Sequence, residues 1–300
     1  MSFASGFDEL VSNGFGHFAA GRFAATPVSL AISECAFFIV LCIVVSTLTG
    51  NVSQVDKLWS ITPAVYAWTL SDLGDSRQCL LSALITLWAA RLTFNFARRG
   101  GYGWPPWTGE EDYRWAVCRT WPGLNTPLGW HAFNIGFISL YQHALLLMIC
   151  APVAAAGLSR SALGPLDALA ALAFLACLAL EAAADQQQWE YQQEKHRLRS
   201  LRKAEDTPMP ERYARGFNAE GLFAVSRHPN FVGEQGVWLS VVGFGVAAGV
   251  PVLHWSGVGA LLLVLLFQGS TALTESITLR KYPQYAEYQR SVGRLLPRLF

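Results

Sequence analysis

The chain is 300 residues long, 52% hydrophobic and only 14% charged, with a formal net charge of +1. That composition belongs to a chain solvated by lipid and excludes an ordinary soluble enzyme, while the near-neutral balance leaves no footprint for a nucleic-acid partner. The six cysteines (Cys35, Cys42, Cys79, Cys118, Cys150, Cys177) fall singly on different segments. This spacing argues against a zinc or dithiol motif, and the want of an internal repeat gives no support to a transporter built from inverted halves.

Residues 1–27 read as a weakly amphipathic lead-in without the pattern of a removable signal. Seven apolar stretches follow, at 28–49, 57–73, 79–97, 130–150, 165–184, 231–249 and 254–274, the second and sixth being the weakest. A helix needs roughly 20 residues to cross about 30 Å of hydrocarbon, so the prediction is an all-α, polytopic membrane protein of about seven transmembrane helices, a single domain over 28–300. Basic residues support this count, because they are retained on the cytosolic side. With the N-terminus outside, only Arg22, Arg77 and Arg160 lie on the non-cytosolic side and Arg91 lies within the third stretch. Lys57, the loops 98–129 and 186–229 and the tail after 274 then share the cytosolic side. The expected compartment is the endoplasmic reticulum of a eukaryote or the inner membrane of a bacterium, with the C-terminus cytosolic.

Chemistry-bearing residues gather at the ends of these stretches. Asp56 precedes Trp59 at the mouth of the second, where a surface helix cap is the plain reading. The run 100–115, rich in glycine, proline and aromatics, reads either as an interfacial loop anchored by tryptophans or as a lid over a site. At the end of the fifth stretch Glu181, Asp185, Gln188 and Gln192 form one polar stripe at helical spacing, costly at membrane depth unless it faces a cavity or partners. The basic run 195–203 suits retention beside anionic lipid, or a phosphate-rich cofactor. In 216–234, Pro229 suits the first turn of a helix that Ser226 or His228 would cap. The helix N-terminus with Arg227 makes a plausible anion cradle, Asn230 and Glu234 share a face, and Gly233 permits close backbone approach. Glu275 ends the seventh stretch and would meet the same polar stripe, and the tail reads as an amphipathic interfacial cap.

Ser226-Arg-His-Pro-Asn-Phe-Val-Gly-Glu234, Gly221-Leu-Phe223, Asp185-Gln-Gln-Gln-Trp189, and Thr274-Glu-Ser276 with Lys281-Tyr-Pro283 together resemble the steroid 5-alpha-reductase-like membrane family, in its DUF1295 branch. Val55-Asp-Lys-Leu-Trp59, Leu87-Trp88 to Arg91 and Gly109-Glu-Glu-Asp-Tyr-Arg114 extend the likeness to roughly residues 50–300. The resemblance implies a membrane reductase that holds NADPH among its later helices, with Asp185, Arg227, Asn230, Glu234 and Glu275 around the cofactor, and His228 beside Arg227 joins them as a candidate from its place at the helix start. Its substrate would be a lipid-like small molecule, steroid-like, polyprenoid or enoyl, with a double bond conjugated to a carbonyl. Two positions depart from the family pattern. Asp56 aligns with the acid that holds the substrate carbonyl, but Trp88 stands where a tyrosine is expected, leaving Tyr66 or Tyr102 as candidate proton donors. Gln192 stands where a phosphate-binding arginine is expected, leaving Arg197, Arg199 or Arg215 for that work. The alternatives are an S-adenosylmethionine-dependent membrane methyltransferase of the isoprenylcysteine or phospholipid type, which shares the Arg-His-Pro run, and a non-catalytic membrane scaffold. No metal site is expected.

Overall fold

A computed structural model describes residues 26–205 and 209–298. The predicted lead-in lies almost wholly outside them. The fold is all-α, 73% helical with no strands among the described residues; one isolated bridge joins Ser226 to Gly293.

Helix α1 (Pro27–Thr49) starts with Pro27 in its first turn and the Thr26 side chain accepting from Ser29 N at 3.1 Å, and it stops at Gly50, φ +72°. Then come α2 (Gln54–Leu58), α3 (Thr62–Leu70), α4 (Ser76–Arg98), α5 (Tyr113–Cys118) and the composite α6 (Pro127–Ala156). The last part of the chain forms α7 (Pro165–Glu205), α8 (Glu211–Ala214), α9 (Pro229–Ala247), α10 (Val258–Lys281) and α11 (Tyr285–Ser291).

Five segments are long and apolar enough to cross a bilayer: Pro27–Thr49, Ser76–Arg98, Pro127–Ala156, Pro165–Arg202 and Trp255–Lys281. The chain is therefore a multi-pass membrane protein. The two remaining predicted spans differ from these for separate reasons. Residues 57–73 are divided between α2 and α3, because Pro63 opens a new helix, and the nine residues of α3 reach only about 14 Å. Helix α9 has 19 residues, but Asn230, Glu234 and Gln235 on it dilute its apolar character.

The contacts divide the chain into two units, 1–172 with 238–263, and 173–237 with 264–300. In the first, Trp88 and Trp238 meet edge to face at 4.8 Å, both buried. Arg77 is clamped bidentately to Asp167, at 2.6 and 3.0 Å, and also donates to Ser159 O, tying the start of α4 to the start of α7. Removing one partner of such a buried pair costs about 3–5 kcal/mol. Within α6, Asn134–Tyr141 is π-helical. In an α-helix Asn134 and His143, nine residues apart, would be separated by about two and a half turns and face opposite ways. The wider i→i+5 turn brings both to the buried side, where Asn134 donates to Ser46 Oγ at 2.8 Å and His143 Nε2 lies 3.2 Å from Cys42 Sγ.

In the second unit α7 and α9 touch backbone to backbone. A Cβ at Gly233 would lie 2.7 Å from Cys177 O and 2.8 Å from Glu181 N, and one at Gly236 would enter the Cys177 side chain. Phe231 packs on Phe267 of α10 at 4.6 Å, and Tyr285 and Tyr288 of α11 are buried around Phe217.

Candidate functional site

The second unit builds its polar centre from the segment just before α9. Residues 226–228 run beside the chain's tail, Arg227 N donating to Gly293 O at 2.9 Å and His228 N to Arg294 O at 3.1 Å. Pro229, which has no N–H, then opens the helix. The Arg227 guanidinium donates from Nε and Nη2 to the two oxygens of Glu275, at 2.7 and 3.0 Å, and its Nη1 reaches Gln289 O and Val292 O. His228 Nε2 lies 3.0 Å from Glu275 Oε1, and Gln289 Nε2 donates to Oε2 at 2.8 Å. Arg227 and Glu275 are each less than a tenth exposed. Arg227 is thus engaged by Glu275 and tail carbonyls, and the N–H groups of 227 and 228 by the tail itself.

One turn into α9, Asn230 Nδ2 donates to Asp185 Oδ1 on α7 at 3.3 Å. Glu181 and Asp185 on α7, and Glu234 on α9, are all buried. Glu181 and Asp185 of the predicted stripe therefore face α9, where Gly233 and Gly236 let the two helices close up, while Gln188 and Gln192 are half-buried. Helical spacing carries the stripe further than predicted, to Lys195, which is 5% exposed and donates to Gly216 O at 3.0 Å. That residue was hidden in the sequence among the cations of a basic run; continuing the stripe by three positions from Gln192 finds it. Gln289 and Tyr288, whose hydroxyl donates to Phe223 O, gave no such signal.

The other predicted cofactor residues lie apart from this centre. Gln192 is half-buried on α7. Arg197 is exposed and held by Glu194 through two bonds of 2.7 Å, and Arg215 is paired with Glu220 at 2.7 Å. A groove of about 360 Å³ runs beside them, lined by Gln187, Tyr191, Arg212, Tyr213, Asn218 and Glu220 among others, with Tyr191 and Tyr213 stacked at 5.3 Å. None of the predicted cofactor residues lines it.

Asp56, Tyr66 and Tyr102 belong to the first unit, each with its own neighbours. Asp56 Oδ2 accepts from Trp115 Nε1 at 3.0 Å. Burial, and then the nearby Asp112 charge, push its carboxyl above the usual range against the pull of Arg114. Tyr102 OH donates to Lys57 O at 2.8 Å, and burial raises that phenol. Tyr66 is fully buried, with Phe38 against its ring and Cys35 and Thr62 beside its hydroxyl. The loop 100–112 lies over α2: Lys57 Nζ donates to Thr108 O at 2.7 Å, Gln54 Nε2 to Trp107 O at 3.1 Å, and Val52 N to Glu111 Oε1 at 2.9 Å. At the same time Trp104 is 89% exposed, so the loop both covers Asp56 and presents an aromatic surface.

Residues 42–292 match the family described as "Protein of unknown function (DUF1295)". The chain belongs to the DUF1295 family. This DUF1295 chain is also similar to "Uncharacterized protein C594.04c" of Schizosaccharomyces pombe, with 40% identity over 271 residues, covering 85% of the chain and 75% of the relative. No solved structure matches it. The matched region takes in every motif of the two polar centres, from Asp56 to Gln289.

Proposed function

We propose that the protein is an NADPH-dependent membrane reductase, of the steroid 5-alpha-reductase-like kind, acting on a lipid whose carbon–carbon double bond is conjugated to a carbonyl. The observation that carries this reading is the set of buried polar side chains on otherwise apolar helices: Asp185 joined to Asn230, with Glu181 and Glu234 buried on the same pair of helices. Ionisable groups at such depth are expensive to keep and mark a functional interior. The family match and the motif resemblance support the choice of chemistry.

The residues fit a dinucleotide in part. Asp185 and Asn230 offer the acceptor and donor set that ribose hydroxyls and a carboxamide require. Arg227, locked to Glu275, acts as a brace that fixes the start of α9. When bound, NADPH supplies a hydride. The chain's own task is to dock a flat apolar substrate, exclude water, and deliver a proton to the position where negative charge develops. Asp56 is the acid that the resemblance offers for that last role, and burial raises its proton affinity above the ordinary carboxylate range while Trp115 donates to Oδ2. Tyr66 and Tyr102 remain the phenolic donors of the same unit. The enzyme works at a multi-pass membrane site with its tail on the cytosolic side.

Purified protein in detergent should gain thermal stability with NADPH and not with S-adenosylmethionine; a ligand at 100 times its Kd adds about 2.7 kcal/mol. Stabilisation by S-adenosylmethionine alone would overturn the reductase reading in favour of a methyltransferase. In cells lacking the gene, an unsaturated lipid should accumulate.

A further inference from the structure

Helix α1 buries four residues, Ala31, Cys35, Cys42 and Ser46, and the last two meet α6 inside the first unit. Ser46 Oγ accepts from Asn134 Nδ2 at 2.8 Å, and Cys42 Sγ lies 3.2 Å from His143 Nε2. These two pairs use only part of what the side chains offer. Asn134 Oδ1, Ser139 Oγ and His143 Nδ1 have no hydrogen-bond partner among the described residues, although the three residues are at most 2% exposed. Their spacing puts them on one face, because Ser139 follows Asn134 by one π-turn and precedes His143 by one α-turn. On the other side of this seam Cys42 and Ser46 are four residues apart, which is about 6 Å along α1.

Unmet polar atoms are costly inside membrane-spanning helices, where bulk water does not reach them and the backbone is already bonded. Their chemistry sets what would join them. Asn134 Oδ1 only accepts, Ser139 Oγ gives or takes, and His143 Nδ1 donates in one tautomer and accepts in the other. A keto or ether oxygen would leave Asn134 unmet, and an ammonium or carboxylate would bring a charge that no residue of the seam balances. We propose that Asn134, Ser139 and His143, with Cys42 and Ser46 facing them, form an enclosed site for one neutral hydroxyl oxygen. Such an oxygen both donates and accepts, so it satisfies Asn134 and either tautomer of His143. It reaches about 2.8 Å to each side, which matches the spacing of the two pairs. The π-turn that aligns the three side chains is a form that recurs at functional sites, and Cys42 is within electrostatic reach of Asp56 and Lys57. Two sources share this chemistry. One is an ordered water held in the seam. The other is the alcohol of a lipid; this source rests on the reductase reading and narrows its substrate to a lipid that carries a free hydroxyl away from the reducible bond.

The test melts the full chain in phosphatidylcholine nanodiscs and turns on a sign. Ser139→Ala removes a hydroxyl that has no other bond among the described residues. If that hydroxyl holds the oxygen, the variant should melt below wild type, by roughly 2–4 °C for one lost hydrogen bond. If it is an orphan, its removal relieves a buried unmet group, and a melt at the same temperature or higher overturns the site. Ser46→Ala, which breaks the bond from Asn134, gives the scale of a loss at this seam. Cholesterol and farnesol, each against its methyl ether, then name the source. Stabilisation of wild type by an alcohol and not by its ether, absent in Ser139→Ala, names the lipid. A lowered Ser139→Ala melt with no such difference, or with a difference that persists in the variant, names the water. A lowered Ser139→Ala melt without stabilisation by NADPH leaves the site standing and removes the reductase reading, and stabilisation by NADPH with an unmoved Ser139→Ala does the reverse.

Discussion

Glu275 receives hydrogen bonds from Arg227 and Gln289 and contacts His228, so its charge is balanced entirely by side chains that also hold the tail. Glu275→Gln should lower stability by about 3–5 kcal/mol by leaving Arg227 buried and unmatched, whereas Glu275→Met with Arg227→Met should cost less than either single change. Chemical denaturation of the two singles and the double measures this coupling; strict additivity would show that the pair is not a unit. Asp56 makes a prediction of opposite electrostatic character. Its proton is held more tightly in the folded protein than in the unfolded chain, so it destabilises progressively as pH rises from about 4 through its raised value. Asp56→Asn, which retains an acceptor for Trp115, should therefore become more stable relative to wild type over that window in pH-dependent melts. The sequence singled out both acids as candidates but could assign Arg227 only by its position beside a helix N-terminus. The groups that claim it, Glu275 and the carbonyls of Gln289 and Val292, lie some 50 to 65 positions away, and no local pattern encodes that distance.

Among the helices, the apolar runs were legible because hydropathy alone decides what enters lipid, and α1, α4, α6, α7 and α10 follow from it. The second run failed as one helix because Pro63 restarts it, a signal present in the sequence but outweighed there by mean hydropathy. The π-helical turn in α6 has no composition cue at all. What fixes it is the bonding of Asn134 to Ser46 and of His143 to Cys42, both on α1. Between α7 and α9, Gly233 supports a sharper expectation. Gly233→Ala should destabilise by roughly 1–3 kcal/mol, the usual range for overpacking, and should weaken any NADPH-dependent stabilisation by pushing Asn230 away from Asp185. Thermal melts with and without the ligand test it; an unchanged Tm would mean that the helices separate freely at this contact.

At the level of the whole molecule, the distribution of basic residues bears on which elements cross the bilayer. If only the five long helices cross, the loops 98–129 and 186–229 share one side and the basic tail lies on the other, against the retention of positive charge. If α2 and α3 together make one crossing and α9 another, all of them fall on the same side. Glycosylation acceptors placed at 158–164 and after residue 298 should then be modified and unmodified respectively; the opposite pattern would reverse the orientation. Five of the seven apolar runs are legible in the sequence as long helices, since hydropathy is local, whereas the partners of the site residues are distant in the chain. Helix α7 adds a mechanical consequence. It is unbroken over 41 residues, about 60 Å, twice the thickness of the hydrocarbon that its apolar half must match. A helix adjusts to a thinner or thicker bilayer by tilting. An unbroken one transmits that tilt along its length, so the polar stripe from Glu181 to Lys195 rides on a lever whose fulcrum is set by lipid composition.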